Sequence, residues 1–225
     1  MHIGLIGGIG PAATDFYYRR LIGSFARAKA PLELTIAHAD TPTLLGHLAG
    51  DNVAAQVAIY VRLTERLKAA GADCVAVTSI AGHFCIEAFK PVSPLPVIDL
   101  IDTLNHAIAA RGFERIGVLG TRTVMETGLY GRVTAARLIP PLGDDLTAVH
   151  EAYVAMAAAG TVNAGQRDVF AGAIKRLLKE GGVEAILLGG TDLALVYSDA
   201  ETAFPVIDAA ALHADAMTAK ALAKG

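Results

Sequence analysis

The chain of 225 residues contains no tryptophan and only two cysteines. Two cysteines are too few for a disulfide framework, and neither belongs to a CxxC or HExxH pattern that would hold a metal ion. We therefore expect Cys74 and Cys85 to be reduced thiols, and we expect no bound metal. The GxG stretch at residues 8–10 is too short for a dinucleotide fingerprint, so no cofactor is expected.

Basic clusters and long apolar runs are also missing. The formal net charge is -3, which makes nucleic acid and an anionic membrane surface poor partners. No apolar run approaches the roughly 20 residues that span a bilayer, and the start MHIGLIGGIGP lacks the basic region of a signal peptide. We expect a cytoplasmic protein. Its composition, 53% hydrophobic and 18% charged, is typical of a globular chain with a large core.

An internal repeat is the most informative feature that the sequence does contain. The segment IGLIGG begins at Ile3, and the similar segment IGVLGT begins at Ile116. A glycine precedes a similar apolar strand at Gly71 and again at Gly182, and the tetrapeptide PVID follows later in each half. Matches in the same order at nearly constant spacing predict two halves that share one topology.

Each half alternates short apolar strands with helical patterns, which is typical of parallel sheets with right-handed crossovers. We predict an α/β fold of two pseudosymmetric Rossmann-like lobes with mainly parallel sheets. The N-terminal lobe is predicted to comprise residues 1–97 and 208–225, and the C-terminal lobe residues 98–207. Ligands of such sheets bind beyond the carboxyl ends of the strands, so the site is predicted in a cleft between the lobes.

Polar residues follow the buried strand of each half. In the stretch VTSIAGHF, Ser79 ends the apolar run and His83 comes four residues later, while Gly190 holds the equivalent position in the second half. Ser79 is a candidate substrate hydrogen-bonder, or a nucleophile that His83 assists as a base. The alternatives are a serine that caps the following helix and a histidine that bonds to backbone.

Four further candidates lie in the predicted first lobe. His38 and Asp40, in AHADTP, are acid–base candidates of the first lobe, although Asp40 forming only a turn is an equal alternative. Gly8 belongs to a glycine turn whose backbone N–H groups could face an anion at a helix N-terminus. Cys85 is either a displaced thiol or a small buried apolar residue.

Four segments resemble the aspartate/glutamate racemases, which are cofactor-independent enzymes with two pseudosymmetric α/β lobes. The opening IGLIGGIGPAATDFYYRRLI resembles theirs, and GADCVAVTSIAGHF resembles their GAD-x-hydrophobic-PCNTAH segment. LLGGTDLAL resembles their GCTE segment, and VLGTRTVMETGLY resembles their central loop. The resemblance covers essentially the whole chain. It implies a small-molecule carboxylate substrate and a homodimer.

The departures from the family pattern concern the two cysteines that exchange the α-proton, one in each lobe. The resemblance aligns them with Ser79 and Gly190. Serine needs an adjacent base and glycine has no side chain, so we do not expect the two-cysteine mechanism. The basic anchors of the aspartate-specific members match Leu44 and Ala158. The substrate-binding positions that the comparison suggests are Gly8, Ile80, Ala81, Thr121, Arg122, Gly190, Thr191 and Asp192.

Two of these positions have structural alternatives. Arg122 binds a carboxylate or forms a surface ion pair, and Asp192 binds an amine, orients a base or caps a helix. The resemblance implies an isomerase that moves a proton at the carbon next to the carboxylate of a small amino acid or related acid. The alternatives are a non-catalytic protein that binds a small acid and a single-base lyase or decarboxylase of the same superfamily.

Overall fold

The computed structural model describes residues 1–8, 10–197 and 202–223. They form two units, Met1–Leu100 with the chain from His213 onward, and Ile101–Leu212. The chain passes from one unit to the other at the start of one helix and inside another. The lobe boundaries at residues 97/98 and 207/208 stay predictions. Residue 9 of the predicted glycine turn, and residues 198–201 and 224–225 of the predicted lobes, lie outside the described residues.

The first unit contains a parallel sheet of order β2-β1-β3. Its elements in chain order are β1 (His2–Gly7), α1 (Pro11–Ala28), β2 (Glu33–His38), α2 (Thr41–Ala49), α3 (Val53–Ala69), β3 (Cys74–Val77) and α4 (Ile86–Phe89). Short 3₁₀ turns, Ala81–Cys85 and Lys90–Val92, lie directly before and after α4. The helices α5 (Leu100–Arg111) and α10 (Ala209–Leu222) carry the chain between the units.

The second unit contains a parallel sheet of order β5-β4-β6-β7. Its elements are β4 (Arg115–Leu119), α6 (Arg122–Thr127), β5 (Arg137–Ile139), α7 (Asp144–Ala159), α8 (Ala164–Glu180), β6 (Ala185–Leu188), α9 (Ala194–Tyr197) and β7 (Val206–Asp208). A 3₁₀ turn, Thr191–Leu193, follows β6. The predicted α/β fold with two parallel sheets is confirmed.

The PVID repeat lies beside the buried strand in both halves. In the second half it forms β7, and the Ile186 N–H donates to the carbonyl of Pro205 at 2.9 Å. In the first half the Val75 N–H donates to the carbonyl of Pro96 at 3.0 Å, but only one bridge, from Val75 to Val97, forms there. In the first half the PVID segment therefore pairs through a single bridge.

Continuous apolar sequence explains why β3 and β6 form where they do. All residues of both strands are buried, as expected for parallel strands covered by helices on both faces. Several helices begin at a residue whose side chain caps them, and α8 has the most complete cap. Asn163 and Gln166 there form a reciprocal capping box.

No helix within the described ranges is both long and apolar enough to cross a bilayer.

A buried histidine joins three segments of the first unit. The ring of His213, on α10, lies 2.9 Å from the Tyr17 hydroxyl through Nδ1 and 2.8 Å from the Ile98 carbonyl through Nε2. Because a carbonyl only accepts, Nε2 carries the proton and Nδ1 accepts from Tyr17. Burial, reinforced by the nearby His83, lowers the pKa of His213 to about 3. The imidazole is therefore neutral in the folded chain.

This neutral histidine makes the stability of the protein fall in acid. Unfolded His213 takes up a proton near pH 6.5, whereas the folded imidazole does so only near pH 3, so stability is lost as the pH falls between these values. As the pH is lowered from 6 to 4, the free energy of unfolding of the parent chain should decrease more than that of His213→Gln. The expected difference is about 1.4 kcal/mol per pH unit. Urea unfolding at pH 6 and pH 4 measures this.

The control is His106→Gln, at an exposed position on α5, which should keep the parental dependence. Equal slopes for His213→Gln and the parent chain would contradict the assignment of a neutral His213.

Candidate active site

Ser79 lies at the end of β3, where the sequence predicts a working residue. Its side chain is buried, and its hydroxyl accepts a hydrogen bond from the Gly82 N–H at 3.4 Å. The hydroxyl thus bonds to the backbone of the 3₁₀ turn that follows. The preceding Thr78 donates to the Ile6 carbonyl at 3.3 Å, which ties this strand end to β1.

His83 is buried and bonds to backbone through both ring nitrogens. Its Nδ1 lies 2.6 Å from the carbonyl oxygen of Ser79, and its Nε2 accepts from the Leu100 N–H at 3.4 Å. Because the carbonyl only accepts, Nδ1 carries the proton. This geometry favours the backbone-bonded alternative over a base for the Ser79 hydroxyl. Catalytic roles for Ser79 and His83 stay predictions.

The remaining residues of this loop are apolar. Ile80 is fully buried and Ala81 is half-buried, so their side chains offer no group to hold a carboxylate. Cys74 is buried inside β3. The buried Cys85 contacts the Gly82 carbonyl through its sulfur at 3.8 Å, and burial raises the pKa of this thiol to about 12. Cys85 is therefore the buried apolar residue rather than a displaced catalytic thiol.

Slow alkylation tests this state of Cys85. A pKa of about 12 instead of 9.0 lowers the thiolate fraction at pH 7.5 roughly a thousandfold. We expect iodoacetamide to label Cys85 several hundredfold more slowly in the folded protein than in urea, as measured by peptide mass spectrometry. The exposed variant Ala88→Cys, on the neighbouring α4, should react fast in the folded protein. Equal labelling of the two thiols would refute the assignment.

Gly8 has φ 96°, in the left-handed region that favours glycine. A Cβ atom there would collide with the imidazole of His38, so this ring lies directly against the Gly8 backbone. The Gly8 N–H donates to the Thr14 hydroxyl at 2.9 Å, and the Gly8 carbonyl accepts from the Thr41 hydroxyl. The backbone of Gly8 thus closes the turn itself, and its role in anion binding stays a prediction.

His38 and Asp40 are both exposed at the end of β2. Asp40 caps α2 by accepting from the N–H of Thr43 at 2.9 Å and from its hydroxyl at 2.6 Å. These hydrogen bonds hold the pKa of Asp40 below its usual value, which makes it a weaker base. His38 and Asp40 line a depression of about 210 Å³ together with Arg62 and Arg66 of α3. The structure therefore brings the two candidates together.

Thr121 and Arg122 begin α6 in the second unit. The Thr121 hydroxyl caps this helix by accepting from the Val124 N–H at 3.3 Å. The Arg122 guanidinium forms an ion pair with Glu126 at 3.2 Å and donates to the Thr147 hydroxyl at 2.9 Å. This arrangement favours the surface ion pair over a substrate-carboxylate site at Arg122.

Gly190 lies in extended backbone with φ -133°, which any residue adopts. A Cβ atom at this position would nevertheless collide with the ring of Tyr153 and would lie 2.7 Å from its hydroxyl oxygen. Glycine is therefore required by the approach of Tyr153 rather than by the backbone angle. Tyr153 projects from α7 and fills the volume that a side chain at residue 190 would occupy.

Thr191 and Asp192 follow in a buried 3₁₀ turn. The Tyr153 hydroxyl donates to the carboxylate Oδ2 of Asp192 at 3.1 Å. Burial, strengthened by this neighbouring carboxylate, raises the pKa of Tyr153 well above its usual value of 10.0, so the phenol stays un-ionised at neutral pH. Roles for Thr191 and Asp192 in substrate binding stay predictions.

Sequence reasoning missed Tyr153. Leu146, Val149, Tyr153 and Met156 are all buried at helical spacing, and such a stripe predicts only the core face of α7. Nothing in that pattern indicates contact with Gly190. The cleft that the sequence predicts between the lobes also stays a prediction.

The contact between Gly190 and Tyr153 predicts a coupled stability change. Gly190→Ala should cost about 1–3 kcal/mol through overpacking. The same change in a Tyr153→Leu background should cost almost nothing, because leucine lacks the outer ring atoms that the new Cβ would meet. Urea unfolding of the four chains in this double-mutant cycle measures the difference.

Gly172→Ala is the matched control in the same unit. Its added Cβ would lie 3.5 Å from a flexible arginine side chain, and a glycine-to-alanine change inside a helix stabilises by about 0.5–1 kcal/mol. Additive costs for the changes at residues 190 and 153 would disprove the steric coupling.

Residues 6–217 match the model of the Asp/Glu/hydantoin racemase family. The chain therefore belongs to this family, and the resemblance found in its sequence motifs is confirmed.

Three solved structures are similar over nearly the whole chain. A candidate Asp/Glu racemase from Yersinia pestis is 28% identical, with a TM-score of 0.86 and coverage of 99% of this chain and 100% of its own. An aspartate racemase homologue from Pyrococcus horikoshii OT3 is 23% identical, with a TM-score of 0.80 and coverage of 100% and 99%. The Picrophilus torridus aspartate racemase is 20% identical, with a TM-score of 0.74 and coverage of 98% and 94%. The last two likenesses concern the fold alone.

Proposed function

We propose that this protein is an isomerase that transfers a proton, without a cofactor, at the carbon next to the carboxylate of a small amino acid or related acid. Family membership over residues 6–217 supports the reaction class. The observation that carries the proposal is that buried polar side chains follow one strand of each sheet, Ser79 after β3 and Asp192 after β6. Parallel sheets bind their ligands beyond these strand ends.

A mechanism with two thiols is not part of this proposal. Ser79 and Gly190 occupy the positions that the family resemblance assigns to the two cysteines, and Cys85 keeps its proton at neutral pH. Ser79 is proposed as a hydrogen-bond donor to the substrate. This role needs its hydroxyl to exchange the present contact with Gly82 for one with the ligand.

His38 is proposed as the base among the candidates of the first unit. An imidazole is the side chain best suited to take up a proton near neutral pH, and that of His38 is exposed beside the glycine turn. Asp40 is less suited, because its cap hydrogen bonds stabilise the charged carboxylate. His83 is less suited, because both of its ring nitrogens bond to backbone.

The substrate is proposed to lack a second carboxylate. Some of the similar structures are called aspartate racemases, but here Leu44 and Ala158 match the basic anchors of aspartate-specific members. Leu44 is buried in the core of the first unit, and Ala158 is exposed on α7. Neither side chain offers a cation to a distal carboxylate.

A single-base lyase or decarboxylase is the second candidate function. This candidate is favoured because the ends of β3 and β6 carry different groups. The end of β3 carries the hydroxyl of Ser79, whereas the end of β6 carries Gly190 packed against Tyr153. A non-catalytic protein that binds a small acid remains the alternative outside catalysis. A homodimer and a cytoplasmic location stay predictions.

Hydrogen exchange in D2O tests the proposal. The protein is incubated with L- and D-amino acids and related 2-substituted acids, and loss of the α-proton is followed by NMR. We expect exchange with at least one acid and a loss of roughly a hundredfold in His38→Gln, because a positioned base contributes about 10²–10⁴-fold. Inversion would indicate a racemase, and exchange with retention a single-base enzyme.

His106→Gln, on α5 and outside the proposed site, is the control and should exchange at the parental rate. If no acid of the panel exchanges its α-proton, both the isomerase and the lyase are excluded for these substrates. If His38→Gln exchanges as fast as the parent chain, the base is another residue.

A further inference from the structure

A depression of about 210 Å³ in the first unit is lined by two arginines. Arg62 and Arg66 line it from α3, and His38 and Asp40 line it from the end of β2 and the start of α2. We propose that this depression is a binding site for a small phosphate monoester, which the two guanidinium groups hold. The site goes beyond the proposed isomerase activity, because binding there requires no catalysis.

The two arginines are exposed and lack ionic partners. Within the part of the chain that the structure describes, neither guanidinium forms an ion pair or a hydrogen bond. Arg20 and Arg176, by contrast, each contact an aspartate through two nitrogens. Because Arg62 and Arg66 are four residues apart on α3, they are neighbours on its surface, and like charges at that spacing destabilise a helix. An anion bound between them relieves this repulsion.

The arrangement of the donors favours a phosphate over a carboxylate. The Cβ atoms of helical residues at this spacing are about 5–6 Å apart, so the two side chains present separate planar forks of N–H donors. A carboxylate has its oxygens in one plane, and a single guanidinium satisfies them through two parallel hydrogen bonds. A phosphate monoester has three acceptor oxygens that are not in one plane, so it accepts from both forks at once.

The volume of the depression and the carboxylate of Asp40 specify the rest of the ligand. The volume of about 210 Å³ is below the roughly 300–1,000 Å³ of pockets for drug-sized ligands, which suits a phosphate with a short chain rather than a nucleotide. Hydrogen bonds from Thr43 hold the pKa of Asp40 below its usual value, so its carboxylate is charged at neutral pH. A charged carboxylate favours a ligand that also carries a hydroxyl donor. Glycerol 3-phosphate has both groups.

The position of His38 gives the site a consequence for the proposed function. Its imidazole is exposed and lines the same depression. A phosphate held by Arg62 and Arg66 fills the space beside this ring, and a substrate then no longer reaches the imidazole from that side. Bound phosphate should therefore slow the α-proton exchange assigned to His38. This step rests on the proposed function, whereas the binding itself does not.

Ligand-observed ³¹P NMR tests the binding. The folded protein is titrated into glycerol 3-phosphate at about 0.15 M salt, where exposed charges more than about 8 Å apart are screened. Broadening of the phosphorus signal gives the dissociation constant. Ethyl phosphate and propionate, which differ mainly in the acidic group, then compete against that signal. We expect saturable binding, with stronger competition from ethyl phosphate than from propionate.

Arg62→Gln and Arg66→Gln should each weaken binding about tenfold or more, because each removes a charged fork of donors. Lys68→Gln is the matched control, since it removes the same charge from an exposed position of α3 outside the depression, and it should bind as the parent chain does. Arg62→Lys keeps the charge and loses the fork, so its affinity should be intermediate. Thermal unfolding verifies that each variant is folded.

Absence of saturable broadening with the parent chain overturns the inference. So does an unchanged affinity in folded Arg62→Gln and Arg66→Gln. A loss in Lys68→Gln as large as theirs also overturns it, because the effect would then come from net charge. Propionate that competes better than ethyl phosphate would refute the choice of a phosphate.

The α-proton exchange in D2O is measured with and without saturating glycerol 3-phosphate, and we expect slower exchange with it. An unchanged rate at saturation would refute the link to His38. If no acid exchanges its α-proton, the proposed function fails and the binding result stands. If acids exchange but the phosphate does not bind, only the present inference fails.

Discussion

The parallel pairing of strands is the constraint from which the rest of each unit follows. Parallel neighbours need a crossover, here a helix, so the strands of each sheet all end at one edge. In the first sheet β1 pairs with both β2 and β3, and the loops that carry Gly8, His38 and Ser79 therefore leave from the same edge. In the second sheet β4 pairs with β6, and the loops that carry Thr121 and Gly190 therefore also leave from one edge.

Hydrogen bonding at these strand ends then determines what most of the polar side chains do. A hydroxyl, carboxylate or imidazole near a strand end needs partners, and the nearest ones are the backbone groups of the loop itself. Ser79 bonds to the backbone of the following turn, His83 bridges two backbone segments, and Asp40 caps α2. Side chains whose type suggests acid–base chemistry thus also stabilise the loops by hydrogen bonds to backbone. This double use explains why residue type and position alone did not separate the candidates.

The exchange between residue 190 and Tyr153 illustrates how packing links distant parts of the chain. Protein interiors are filled to a nearly constant density, so a side chain removed at one position leaves volume that another must occupy. Gly190 provides that volume, and the ring of Tyr153 fills it from another element. A glycine that looks like the simple loss of a catalytic side chain is therefore one half of a packing arrangement that brings a different polar group to the strand end.

The sequence by itself determined the fold class, because hydrophobic periodicity and the internal repeat are properties of local stretches read in order. The parallel sheets and the family were predicted from IGLIGG, GADCVAV and their second copies. Only the tertiary structure decided which candidate side chains bond to the backbone of their own loops. It also brought Tyr153 into contact with Gly190 and Asp192. The reason is that these contacts join residues far apart in sequence. A helical stripe marks Tyr153 as buried, but only the packing of α7 determines what it is buried against.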